Sequence, residues 1–102
     1  MSTQKFATQA LHAGHDVSLN KGTRAVPIYQ STAYVFDDSD HAASLFSLSK
    51  PGYIYTRLNN PTNDILEQRL ASLEGGIGAV VTASGTSALS ITLLTLLKAG
   101  DH

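Results

Sequence analysis

Gly78-Ala79-Val80-Val81-Thr82-Ala83-Ser84-Gly85-Thr86-Ser87 is the stretch whose reading decides the fold. Residues 78–83 form a short continuous apolar run with adjacent β-branched side chains, the pattern of a strand buried on both faces. Ser84-Gly85-Thr86 follows at once, and residues 87–98 then read as helix. That helix is apolar around most of its circumference, through Leu89, Ile91, Leu93, Leu94, Leu96 and Leu97. Such a helix belongs inside a larger protein, and this one is too short for lipid. Lys98 in the last turn and Gly100 just past it are ordinary stop signals. A strand buried on both faces implies a parallel sheet with several strands and crossovers. The sequence supplies one good candidate before Asp101-His102, so the expectation is an N-terminal piece of a longer α/β enzyme. The competing reading is a small α+β domain whose other strands come from residues 26–36.

Upstream, Asn60 places a capping side chain before Pro61 at the first helical position. Leu66, Leu70 and Leu73 recur at i, i+4 and i+7, predicting an apolar stripe on a helix over about 61–74. Gly75-Gly76 ends it, glycine accepting the left-handed conformation that helix C-termini favour. Asp38, Ser39 and Asp40 can cap a helix over roughly 41–48, which Pro51-Gly52 ends at the latest. Residues 26–29 and 34–36 look extended, and Pro27 makes the first an edge or irregular segment. Residues 16–24 read as a surface loop, and residues 6–12 as one or two helical turns stopped by Gly14.

Composition narrows the function. The chain has 102 residues, which bounds it to one small domain. A net charge of -1 lacks the clustered basic footprint of a nucleic-acid binder. Cysteine is absent, which excludes disulfide scaffolds, thiolate metal sites and cysteine nucleophiles. No apolar stretch has the length of a signal peptide core or a membrane span, so a cytoplasmic protein is expected. Charged residues make up only 15%, against about 25% in ordinary domains. So low a value in so short a chain implies that other protein covers much of its surface.

Two clusters carry candidate chemistry. The strand–Ser84-Gly85-Thr86–helix corner is the arrangement of an anion site, with unpaired helix N–H groups and a dipole pointing the same way. Ser84 acting as a plain helix cap accounts for the same residues. In Tyr53-Ile54-Tyr55-Thr56-Arg57, strand alternation places Tyr53, Tyr55 and Arg57 on one face. A phenol beside a guanidinium suits a phosphate or carboxylate, while a solvated tyrosine ladder explains the spacing equally well. Metal binding is not expected: His12 and His15 are separated by Gly14, with no third ligand, His41 is expected to face solvent, and His102 is terminal. No nucleophile elbow is present. Lys50, preceded by Ser47-Leu48-Ser49, sits in a polar segment before Pro51-Gly52, unlike the desolvated lysine that Schiff-base chemistry needs.

Tyr55-Thr56-Arg57-Leu58-Asn59-Asn60-Pro61-Thr62, then Leu73-Glu74-Gly75-Gly76, Ala83-Ser84-Gly85-Thr86-Ser87-Ala88 and Ala99-Gly100-Asp101 together resemble the trans-sulfuration family. These are the pyridoxal-phosphate-dependent enzymes of cysteine and methionine metabolism. Residues 8–14 and 26–32 match the family as well, so the likeness covers nearly the whole chain. Within it, residues 33–38 followed by His41-Ala42-Ala43 look most like the O-acetylhomoserine sulfhydrylases.

The resemblance implies an N-terminal arm plus the start of the large cofactor-binding domain of a type I (aspartate aminotransferase-like) enzyme. Residues 1–60 would form the arm and an extended segment reaching the neighbouring subunit; residues 61–102 would begin the α/β domain, incomplete here. It implies that Tyr55 and Arg57 bind the phosphate of the neighbouring subunit's cofactor. Ser84, Gly85 and Thr86 would hold the phosphate of their own subunit, Gly85 and Thr86 through backbone N–H groups. Many relatives carry other residues at Thr86 and Ser87, a change that a backbone donor tolerates. The implied reaction forms homocysteine and acetate from O-acetylhomoserine and sulfide, in a homotetramer with shared active sites. Cystathionine γ-synthase or lyase, methionine γ-lyase, and a non-catalytic phosphate-binding or dimerisation module are the other readings. The family's Schiff-base lysine lies downstream, so these residues contain no catalytic residue and are expected to be inactive alone.

Overall fold

Asn60 and Gly75 bracket the best-defined element of the structure. In the computed structural model, which describes residues 4–102, four helices occur: α1 (Phe6–His12), α2 (Ser39–Phe46), α3 (Pro61–Glu74) and α4 (Gly85–Leu96). The Asn60 side chain accepts a hydrogen bond from the Thr62 N–H, Pro61 opens the helix, and Gly75 ends it at φ 68°. Such a cap stabilises a helix by about 1 kcal/mol, and α3 has the predicted limits. Its apolar stripe does not do what was expected. Leu66 and Leu70 are largely exposed, whereas Ile65 is buried.

Helix α1 packs on α3, the helix that carries Ile65. Gly14, at φ 77°, makes the turn that brings the chain against that helix. A Cβ there would stand 2.7 Å from the Ile65 carbonyl oxygen and 2.9 Å from Gln68 Cβ, so only glycine fits. Polar groups complete the joint. Arg69 Nε donates to the Ala13 carbonyl at 2.8 Å, and Ser72 Oγ donates to Gln9 Oε1 at 2.9 Å. Phe6 and Leu11 of α1 remain exposed.

Helix α2 begins two residues earlier than predicted because Asp38 is its cap, accepting from the His41 N–H at 2.7 Å. It ends before Pro51, where the N–H groups of Ser49 and Lys50 close onto the Ser44 carbonyl and Leu48 turns to φ 58°. His41 is half-buried rather than fully turned to solvent. Its Nδ1 accepts from the Asp37 N–H at 3.1 Å, and its ring meets Phe36 edge-on. Leu45 is the buried side chain of α2.

The expected strand over 78–83 is a correction. This run has no regular secondary structure and belongs to no ladder among the described residues. A strand needs a paired strand, and among the described residues none pairs with it. Instead Glu67 of α3 accepts the Val81 N–H at 2.9 Å, a side chain standing where a ladder partner would. One isolated antiparallel bridge, Ala33 with Tyr55, is the β-pairing found in the described residues.

Helix α4 starts at Gly85 rather than Ser87, since Ser84 caps it and accepts the Ser87 N–H at 3.1 Å. It stops at Leu96, and Lys98 lies in a following turn in which its N–H donates to Asp101. Among the described residues no other helix packs on α4. Its Leu94 is 82% exposed, and Val80 of the preceding run 81%. The accessible surface totals 8378 Å², against about 5,500 Å² for a compact protein of this mass. Many large apolar side chains are among the exposed ones, Val35 and Ile77 included.

Candidate functional site

The bridge between Ala33 and Tyr55 fixes where the first cluster lies. The Thr56 N–H donates to the Thr32 carbonyl at 2.8 Å and the Tyr34 N–H to the Ile54 carbonyl at 3.2 Å. Immediately afterwards the chain turns, with the N–H groups of Leu58 and Asn59 donating to the Tyr55 carbonyl. Arg57 therefore sits on a turn, not on a continuing strand. Its guanidinium folds back over the Tyr55 ring, 4.9 Å from the centroid.

The predicted trio does not stay together. Tyr53 leaves the other two and donates its phenol to Asp64 Oδ2 at 2.9 Å, its ring 5.5 Å from that of Tyr34. Burial and the Asp64 hydrogen bond push its pKa up to about 12, so Tyr53 stays neutral. Tyr53 is a strut between the extended segment and α3. Tyr55 and Arg57 face an open cavity of about 740 Å³ with Tyr29, Gln30, Ser31 and Asn60. The Arg57 guanidinium meets no acceptor among the described residues, leaving its planar fork free for an anion.

Three residues that sequence reasoning passed over hold this cavity wall. Thr62 Oγ1 accepts the Tyr29 N–H and donates to the Pro27 carbonyl, each at 2.9 Å. Asn60, 4% exposed, donates through Nδ2 to the Tyr29 carbonyl at 2.8 Å. Thr56 Oγ1 donates to the Ser31 carbonyl. The Asn60-Pro61-Thr62 motif signalled a helix start; its side-chain reach back to residues 27–34 had no local signature.

At the second cluster, Ser84 is spent on capping, as its plainer reading allowed. The N–H groups of Gly85 and Thr86, at the first two positions of α4, have no acceptor among the described residues. A Cβ on Gly85 would meet nothing within 4 Å, so open space lies against the backbone there. A phosphate fits both clusters: a free guanidinium beside a phenol at one, bare N–H donors at a helix N-terminus at the other. The cavity lined by Tyr55 and Arg57 includes none of Ser84, Gly85 or Thr86. Within one chain the structure does not bring the two clusters together. Lys50 is exposed. Among the described residues no helix is long and apolar enough to cross a membrane.

Comparison with known proteins gives the family. Residues 7–102 match the Cys/Met metabolism PLP-dependent enzyme family, and the chain belongs to it. It is 56% identical over 98 residues to an O-acetyl-L-homoserine sulfhydrylase from Leptospira meyeri, covering 96% of this chain and 22% of that protein. It is 50% identical over 104 residues to an L-methionine gamma-lyase from Fusobacterium nucleatum subsp. polymorphum, covering all of this chain and 26% of that one. Among solved structures, an O-acetylhomoserine (thiol)-lyase by assignment, from Campylobacter jejuni, superposes with TM-score 0.90 at 43% identity. The match covers 97% of this chain and 24% of that one, which carries N'-pyridoxyl-lysine-5'-monophosphate. This chain thus spans about a quarter of the length of the curated relatives it matches. Its path is that of the corresponding quarter of a PLP enzyme, so the type I α/β class holds although residues 78–83 pair with nothing here.

Proposed function

We propose that this chain is the N-terminal part of a PLP-dependent O-acetylhomoserine sulfhydrylase, which forms homocysteine and acetate from O-acetylhomoserine and sulfide. The observation that carries the reading is the 56% identity to a sulfhydrylase along nearly the whole chain. Pyridoxal phosphate, when bound, supplies an electron-withdrawing ring that stabilises negative charge at the substrate's α-carbon. What these residues add is anchorage. Gly85 and Thr86 donate backbone N–H groups to the phosphate of their own subunit's cofactor, on the helix capped by Ser84. Tyr55 and Arg57 reach the phosphate in a neighbouring subunit, the guanidinium giving a forked, charge-assisted contact. The separation of the two clusters within one chain supports this division of labour in a homo-oligomer. Residues 1–60 serve as the arm towards the neighbour and 61–102 as the start of the cofactor domain; residues 1–3 lie outside the described ones. Fixing the phosphate fixes the ring against the substrate, which lowers the entropic part of the barrier.

The 50% identity to a methionine γ-lyase supports a second reading, elimination of a thiol from methionine. An assay of the full cofactor-loaded enzyme separates the two. The first reading expects homocysteine from O-acetylhomoserine and sulfide, with methionine left intact. Thiol release from methionine without homocysteine formation overturns it in favour of the second.

A further inference from the structure

We propose that Asn60 is a positioning residue for the Tyr55–Arg57 phosphate grip, acting through the hydroxyl of Thr56; the proposal rests on the phosphate role given to Tyr55 and Arg57 above. A cap needs only the oxygen of the Asn60 amide, which accepts the Thr62 N–H at 2.9 Å. The nitrogen end does something a cap does not require. It donates to the Tyr29 carbonyl at 2.8 Å and reaches Tyr34 Oη and Thr56 Oγ1, each at 3.2 Å. One end of the amide faces a donor and the other faces three oxygens, so its orientation is settled. At 4% exposure it has little water to turn to, and an unmade bond there costs the full desolvation of its partner.

Thr56 is the residue between Tyr55 and Arg57. Its hydroxyl takes the Asn60 bond and passes its own proton to the Ser31 carbonyl, while its N–H donates to the Thr32 carbonyl. Thr56 is therefore held from the α3 cap on one side and from the 31–32 segment on the other. The direction in which Tyr55 and Arg57 project depends on that hold. Arg57 is exposed, on a turn, with a long flexible side chain, and its guanidinium has no acceptor among the described residues. Its aim at a phosphate comes from the backbone beneath it, and Asn60 locks that backbone to the helix.

The test uses the full enzyme, stripped of cofactor and titrated separately with pyridoxal phosphate and with pyridoxal. The ratio of the two dissociation constants reports the phosphate grip alone. Asn60→Asp keeps the capping oxygen and removes the Nδ2 donor; Thr56→Val keeps the shape of Thr56 and removes its hydroxyl. Each is expected to weaken pyridoxal phosphate binding about tenfold while changing pyridoxal binding less than about twofold. Thr56→Ser is expected to restore the wild-type ratio. Arg57→Ala, run in parallel, tests the underlying reading and is expected to remove most of the preference for the phosphorylated ligand. If Arg57→Ala removes the preference while Asn60→Asp and Thr56→Val leave it intact, the positioning role is wrong and the phosphate role stands. If Arg57→Ala also leaves it intact, both are wrong. Equal weakening of both ligands by Asn60→Asp and Thr56→Val means a structural role only and overturns the proposal. Should Asn60→Asp fail to fold, the Thr56→Val and Thr56→Ser pair decides.

Discussion

The guanidinium of Arg57 lies 4.9 Å from the centre of the Tyr55 ring, two residues back along the same turn. This contact pairs a cation with the electron-rich face of a phenol, worth about 0.5–1 kcal/mol at an exposed site. It holds the guanidinium over the ring, and its N–H groups meet no acceptor among the described residues. Stacking and forked donation both depend on planarity, which lysine lacks. Arg57→Lys keeps the charge and loses both. Its affinity for pyridoxal phosphate in the full enzyme is expected to fall about tenfold. Cofactor titration of the apo-enzyme measures this, and unchanged affinity contradicts a role for the fork.

Gly85 gives a test in which fold and ligand respond in opposite directions. Open space surrounds the position where its Cβ would stand, so a side chain there disturbs no neighbour in this chain. Alanine is also the better helix former, by about 0.5 kcal/mol or more in a helix interior. Gly85→Ala is thus expected to leave the apo-enzyme at least as heat-stable as the wild type. Gly85→Val, with its larger branched side chain, blocks approach to the Gly85 and Thr86 N–H groups. A hydrogen bond to a charged group is worth about 1.5–3 kcal/mol, so cofactor affinity is expected to drop roughly tenfold to hundredfold. Wild-type cofactor absorbance in Gly85→Val would remove this corner from the phosphate site.

Much of this was legible because it is local. The Asn60 cap, the Pro61 start and the Gly75 stop of α3 act within a few residues of each other, and that helix has its predicted ends. The Ser84-Gly85-Thr86 corner was legible for the same reason. What escaped depends on partners remote in sequence. Residues 78–83 have the composition of a strand, but a strand is a relation between segments, and Glu67 is what meets Val81 here. Leu66 and Leu70 are exposed while Ile65 is buried, which the spacing of leucines cannot express. Tyr53 is drawn to Asp64 of α3, 11 residues on, although alternation had placed it with Tyr55 and Arg57. The reach of Asn60 to Tyr29 spans 31 residues, and no motif encodes it.

Gly14 is the point on which the docking of α1 turns. Its φ of 77° costs a non-glycine residue roughly 1–2 kcal/mol, and a Cβ would press to 2.7 Å from the Ile65 carbonyl oxygen. Backbone cannot swing aside as a flexible side chain does, so Gly14→Ala must move α1 off α3. The Arg69 bond to the Ala13 carbonyl goes with it. A loss of about 2–3 kcal/mol is expected from strain and the broken contacts together. Amide hydrogen exchange in the full enzyme is the direct readout. Residues 6–12 should exchange much faster, while those of α4 keep their wild-type rates. Unchanged protection of α1 would mean that Gly14 is not what seats it.

Tyr53 ties the segment before the turn to α3 through Asp64, and its ionisation gives a pH signature. Burial and the hydrogen bond to Asp64 raise its pKa from 10.0 to about 12, because both favour the neutral phenol. In the unfolded chain the phenol ionises near its ordinary value. Below pH 10 both states keep the proton, and the stabilisation that comes from holding Tyr53 neutral is fully present. Between about pH 10 and 12 the unfolded chain releases that proton while the folded protein retains it, so unfolding becomes easier as pH rises. Above about 12 the phenolate would sit against the Asp64 carboxylate, and that stabilisation is gone. Solvent screens part of this effect, since Tyr53 is only half-buried. Tyr53→Phe removes the titrating group together with the Asp64 bond. Its stability at neutral pH is expected to fall by about 1 kcal/mol for the lost hydrogen bond. Its alkaline slope is expected to be shallower than that of the wild type. Denaturant unfolding at neutral pH and at pH values within that window measures both quantities. Parallel curves for the two proteins across the window would show that Tyr53 titrates as an ordinary exposed phenol.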